Sequence, residues 1–206
     1  MTVTTRAVTW LRYDDLGAEY AEIALDGGRL RARSTAVGAS PVPYRSELVL
    51  KTGSDLVTSR LAIETRGLGW SRRLDLRRSK AGAWTVGTAF EGAVDLPDPG
   101  GDMSAFENAL DPDVELCPVL NTLPVLRHGL LEGGSAPELL MIWVELPSLA
   151  LHRSLQRYTS RGPDGDRNHV VRFEERGPDG EEFVQDIVFD RDGIVLDYPE
   201  IARRIG

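Results

Sequence analysis

At 206 residues, with 41% hydrophobic and 27% charged residues, the chain has ordinary globular composition and enough length for one sizeable core. Its formal net charge of −8 runs against nucleic-acid or anionic-membrane binding, which takes most of its non-specific affinity from excess basic charge. One cysteine excludes an intramolecular disulfide, and three histidines leave few soft metal ligands. Residues 1–6 lack an apolar signal region of ~7–15 residues. The longest apolar run, Leu139 to Val144, falls far short of the ~20 residues of a spanning helix. The expectation is one cytoplasmic domain over residues 1–206, without an integral membrane segment and with its oligomeric state open.

In chain order, most segments read as short strands between turn residues. Ala18 to Leu25 alternates, with Tyr20, Glu22 and Ala24 on one face and Ala21, Ile23 and Leu25 on the other; Asp26-Gly27-Gly28 then turns the chain into Leu30 to Val37. Glu47 to Lys51 and Leu56 to Thr65 form a second pair, and Trp70 to Arg77 and Ala83 to Ala89 a third. Met103 to Leu110 is a candidate short helix. Asn168 to Arg176 and Glu181 to Asp190 flank Gly177-Pro178-Asp179-Gly180, a turn tetrapeptide that also occurs at 162–165. Tyr198 to Ile205 is a second candidate helix, with Asp197 as its N-cap. Regular strand spacing predicts a mainly β fold: a single curved antiparallel β-roll or open barrel-like sheet with one or two short helices.

Between these pairs lies an unusual stretch, Asp113 to Arg127, centred on Asn121-Thr122-Leu123-Pro124. Its prolines, Pro118 and Pro124, argue against a regular helix or a central strand across the whole segment. Its apolar residues need burial, so it reads as an irregular crossing of the core. Buried irregular backbone must find hydrogen-bond partners, and the Asn121 amide is suited to supplying them.

Val114-Glu115-Leu116, Pro118, Asn121-Thr122-Leu123-Pro124-Val125 and Arg127 together resemble the signature of a bacterial glycolipid-binding family. Trp10, Glu19, Tyr44 and Thr58-Ser59-Arg60 precede it in the family's order. Trp143-Val144-Glu145-Leu146-Pro147-Ser148-Leu149, Gln156-Arg157-Tyr158 and Asp192 to Pro199 follow it. The chain departs from the pattern in a longer connector at 95–112 and at Glu115 and Cys117.

Other chemistry is thinly marked. Cys117 and His128 could be drawn as nucleophile and base, but no third orienting residue is evident and a packed thiol fits better. Asp95, Asp98, Asp102, Asp111 and Asp113 crowd one loop at spacings unlike a calcium-binding EF-hand, so a hydrated acidic loop is the plainer reading. On a strand, Arg72 to Arg78 puts Leu74 and Leu76 on one face and Arg73, Asp75 and Arg77 on the other. Trp10, Tyr44, Trp70, Trp84, Trp143, Tyr158 and Tyr198 are spread over successive strands. Core filling accounts for most of them, and only the family resemblance gives a reason to expect them around a lipid-like cavity.

The resemblance implies a non-enzymatic binding protein for a glycolipid or other amphipathic ligand, with Asn121, Thr122, Arg127, Trp143, Gln156 and Tyr158 as ligand contacts and no cofactor. For Arg127 a structural ion pair competes with a head-group contact. An enzyme acting on a sugar or lipid conjugate is the alternative, marked by Asp113 or Glu115 meeting a second carboxylate in a pocket. A solid structural or protein-interaction domain is the third reading.

Overall fold

The computed structural model describes residues 3–14, 16–165, 167–176 and 182–206. Fourteen strands form one open, curved sheet in the order β7-β6-β5-β4-β3-β2-β1-β14-β13-β12-β11-β10-β9-β8. The strands from β1 to β7 are Thr4–Arg12, Gly17–Asp26, Arg29–Gly38, Tyr44–Thr52, Thr58–Gly67, Trp70–Arg78 and Trp84–Glu91. Those from β8 to β14 are Asp111–Val114, Leu139–Val144, Leu151–Pro163, His169–Arg176, Glu182–Phe189, Val195–Tyr198 and Ala202–Ile205. Every pairing is antiparallel except β8 with β9.

The expected strand pairs form. The β2–β3 hairpin closes on Gly27 and Gly28, whose φ of 53° and 83° give the doubly left-handed turn that suits the strand twist. Along β2 the buried side chains are Glu19, Ala21 and Ile23, while Tyr20 and Glu22 face out. On β6, Leu74 and Leu76 are buried, and Asp75 on the other face pairs with Arg60 and Arg77. The Gly177-Pro178-Asp179-Gly180 turn lies outside the described residues.

Three local expectations are corrected. Tyr198 to Ile205 is no helix. Tyr198 ends β13, the chain turns through Glu200 at φ 67°, and β14 pairs with both β13 and β1. Without β14 the inner edge of β1 would be unpaired, and that tertiary demand overrides a short helical pattern. Met103 to Leu110 shrinks to a 3-10 turn, Met103–Phe106, capped by Asp102 accepting from Ser104 N–H at 2.9 Å. The Asp113-to-Arg127 stretch is more regular than its prolines suggested. After β8 come a 3-10 turn, Pro118–Asn121, and helix α1, Thr122–Arg127. Both prolines sit in first turns, where their missing N–H has no helical acceptor to lose.

This connector fills the inside of the roll. Val119, Leu120, Leu123 and Val125 are at most 1% exposed and belong to one buried cluster with Trp10, Tyr158 and Phe173 of the sheet. Polar pins tie together the elements around it. Asp111 accepts from Thr58 N–H at 3.0 Å, from Thr58 Oγ1–H at 2.7 Å and from Arg127, tying β8, β5 and α1 together. Trp84 Nε1–H donates to Ala109 O at 2.8 Å, and Thr65 Oγ1–H to Pro147 O at 2.7 Å. Buried donors and acceptors left unpaired would cost free energy at each of these crossings, so the pins fix how the two ends of the open sheet lie together.

Candidate functional site

At one mouth of the roll, β8 and the turn after it face the inner surface of β10 to β13, leaving a cleft of about 230 Å³. Strand register sets its walls. Gln156, Glu175 and Phe183 are cross-strand partners on β10, β11 and β12, and Asp113 stands beside Trp143 in the β8–β9 pair. Asp113, Glu115, Cys117, Asn121 and Glu175 line the cleft together with Trp143, Phe183, Tyr198 and Ile201. Aromatic packing extends inward: the Phe173 and Tyr198 rings are 5.9 Å apart and the Phe183 and Tyr198 rings 6.3 Å. Leu116 in the wall has φ 60°, an uncommon left-handed conformation for a non-glycine residue.

A hydrogen-bond chain forms the polar floor. Asn121 Nδ2–H donates to Tyr158 OH at 3.0 Å, and Tyr158 donates to Gln156 Oε1 at 2.9 Å. Gln156 Nε2 donates to Asp113 Oδ2 at 2.6 Å and to Ser154 Oγ at 3.0 Å, and Ser154 Oγ–H donates to Glu175 Oε1 at 2.5 Å. Gln156 and Tyr158 are 0% exposed, so they aim the carboxylates rather than face the opening. Asp113 and Glu175 keep part of their surface open to the cleft.

Electrostatically the floor is strained. Desolvation pushes Asp113 up to about 7; the Gln156 hydrogen bond opposes the shift, and the nearby Glu175 and Asp111 charges add to it. Burial also raises Glu115, against a 2.7 Å hydrogen bond from Leu146 N–H. Tyr198 is held well above the ordinary phenol range by burial and by the Asp113 and Glu175 charges.

Behind this wall, Cys117 Sγ–H donates to Glu19 Oε1 at 3.1 Å, and burial lifts Glu19 to about 7. Burial, with the Glu19 charge beside it, also drives the Cys117 thiol well above its usual range. The thiol is therefore a packed donor rather than an activated nucleophile. His128 lies instead near Arg127 and Asp111.

The model of the family described as "Putative glycolipid-binding" matches residues 7–204. The chain belongs to this family. A DUF1089 family protein from Pseudomonas aeruginosa, known from its crystal structure, shares the fold with a TM-score of 0.65 at 23% identity, over 91% of this chain and 92% of that one. Among curated proteins, none matches the chain.

In this member of the glycolipid-binding family, residues far apart in sequence converge. Asn121, Gln156 and Tyr158 form one chain of hydrogen bonds, and Trp143 walls the same cleft. Asn121 does not bond to backbone through its amide, as its position suggested; the amide reaches Tyr158 instead. Thr122 is 0% exposed, and among the described residues its Oγ1 has no hydrogen-bond partner. Arg127 is engaged elsewhere, with Asp111 and with Leu56 O at 3.2 Å. Glu175, Phe183 and Ile201 were not foreseen as lining residues. Glu175 reaches the cleft only because β11 pairs in register with Gln156, and single-sequence patterning does not reveal that register.

A larger trough of about 440 Å³ lies on the solvent face of β4 to β7, among Val49, Ala62, Gly87 and Ala89. Its charges are already matched, Arg60 with Asp75 and Arg73 with Glu64. The smaller cleft has the more demanding chemistry. Among the described residues no helix is long and apolar enough to cross a membrane.

Proposed function

We propose that the protein binds the saccharide head of an amphiphile in the cleft between β8 and β10–β13, its apolar tail lying outside the roll. The observation that carries this is the meeting of acceptor carboxylates, Asp113 and Glu175, with aromatic walls, Trp143, Phe183 and Tyr198, in one cleft. Carboxylates accept sugar hydroxyls, and aromatic faces cover the apolar face of a ring. At about 230 Å³ the cleft is smaller than the ~300–1,000 Å³ typical of small-molecule sites, so it suits a head group. The roll interior is filled by Val119, Leu120, Leu123 and Val125, which leaves the acyl portion to the outer surface. Family membership supports a binding role.

Native mass spectrometry of the purified protein with an alkyl glycoside tests this. The expected result is a one-to-one adduct that Trp143→Leu weakens at least tenfold. No adduct, together with no lipid recovered by solvent extraction, would end the proposal.

One observation favours a second reading, an enzyme acting on a sugar conjugate. Asp113, Glu115 and Glu175 share the cleft, and the bonds of 2.6, 3.0 and 2.5 Å through Gln156 and Ser154 cap the Asp113–Glu175 oxygen separation at about 8 Å. The separations used in glycoside cleavage, ~5–9.5 Å, overlap the range this bound allows. Release of phenol from aryl glycosides, lost in Asp113→Asn, would establish turnover; binding without release would leave a carrier.

A further inference from the structure

The cleft is one-signed. Asp113, Glu115 and Glu175 line it, and among the described residues no lysine, arginine or histidine does. None of the three carboxylates takes part in an ion pair among the described residues. Arg12 and His152, which act on the Glu115 charge from nearby, are paired with Asp14 and Glu145 respectively. A fourth carboxylate stands one side chain away: Glu19 is 5% exposed and contacts the wall residue Cys117 through Oε1, with the Ser34 hydroxyl as its other hydrogen-bonding neighbour. Carboxylates elsewhere in the molecule are handled differently. Asp111 is fully buried with Arg127, and the solvent-face trough alternates its charges in pairs. Carboxylates without a cationic partner in a partly desolvated site are costly to ionise, and a cation entering it favours their charged form.

The aromatic walls point the same way independently. Trp143, Phe183 and Tyr198 surround the opening, and aromatic faces attract ammonium groups through the ring quadrupole. An anionic head group would meet carboxylates with nothing to neutralise it.

We infer that the head group held here carries a protonated amine, so that the cleft takes an amino sugar in preference to a neutral or phosphorylated one. This rests on the head-group reading of the same cleft and adds its charge. In the bound state the ammonium donates to Asp113 and Glu175, whose positions the Gln156–Ser154 bridge fixes, and the ring packs against Trp143.

The test is calorimetric titration of the wild-type protein, at about pH 7, with matched sugars that differ only in charge. The probes are glucosamine, galactosamine and mannosamine, each beside its neutral parent hexose, its N-acetyl form and its 6-phosphate. The expected result is that at least one amine binds tenfold or more tighter than its parent and its N-acetyl form, with the 6-phosphate weakest. Asp113→Asn and Glu175→Gln should each erase most of that preference, weakening the amine by a much larger factor than the neutral parent. Thermal melting of both variants confirms that they are folded, and the two independent positions keep the test decisive if one is not. Equal binding of amine and parent, or preference for the phosphate, overturns the inference and leaves head-group binding intact. No binding by any probe overturns both.

Discussion

Arg127→Met removes a guanidinium but keeps most of its apolar stem. Asp111 is 0% exposed and retains only the two Thr58 hydrogen bonds, while Leu56 O loses a donor. Removing one partner of a buried ion pair costs ~3–5 kcal/mol, because it leaves an uncompensated buried charge. Against a typical total stability of ~5–15 kcal/mol this is a large fraction. With a urea m-value of ~2–3 kcal/mol/M the denaturation midpoint should fall by ~1–2 M, followed by tryptophan fluorescence. Asp111→Leu combined with Arg127→Met should recover much of the loss, since apolar replacement of a whole buried pair is often neutral. Alkyl glycoside binding by the folded single variant should be unchanged, because Arg127 is committed to Asp111 rather than to the cleft. A midpoint shift below ~0.3 M at constant m would refute the reasoning, as would a double variant no better than the single one.

Asn121→Ala should destabilise by ~1–3 kcal/mol by leaving Tyr158 OH without its donor, and chemical denaturation at matched pH measures it; a change under ~0.5 kcal/mol would show the bond to be dispensable. Trp10→Phe should cost ~2–3 kcal/mol, because it orphans Val195 O and opens a void in a position 1% exposed; unchanged melting would contradict this. Asp113 and Glu19 both have folded-state values raised to about 7, so the folded protein binds more protons than the unfolded chain between roughly pH 4 and 7. Their contribution to stability is full below pH 4 and is lost as pH rises through 7. Asp113→Asn should therefore flatten the decline and be the more stable form at about pH 8, by ~1–3 kcal/mol; parallel pH–stability curves for variant and wild type would refute it.

The alternation of β2 and β6 and the Gly27-Gly28 turn were legible because two-residue periodicity and left-handed turns are local properties. Tyr198 to Ile205 misled for the opposite reason: its strand exists to pair with β1, almost 200 residues away in sequence, and local propensity does not record that demand. The 113–127 segment was rightly singled out as a buried crossing. Its prolines, however, were weighed as breakers when each sits in a first turn that tolerates it. Within the site, Asn121, Gln156 and Tyr158 were named through the family resemblance, and the structure joins them. Glu175 was invisible because its place in the cleft comes from β11 register alone, on a strand whose sequence, His169 to Arg176, reads as ordinary amphipathic surface. Arg127 stood in sequence as either ligand contact or structural cation, and the structure pairs it with Asp111.

The central claim, that ligand enters the cleft beside Trp143, is tested most directly by fluorine NMR of protein labelled with 5-fluorotryptophan. The chain has four tryptophans, and Trp10, Trp70 and Trp84 are at most 8% exposed, away from the cleft lining. Trp143→Phe assigns the one resonance that matters. On titration with an alkyl glycoside, the account predicts a saturable shift of the Trp143 resonance with the other three nearly still. A saturable shift of another tryptophan, with Trp143 unmoved, would place the ligand elsewhere and contradict it.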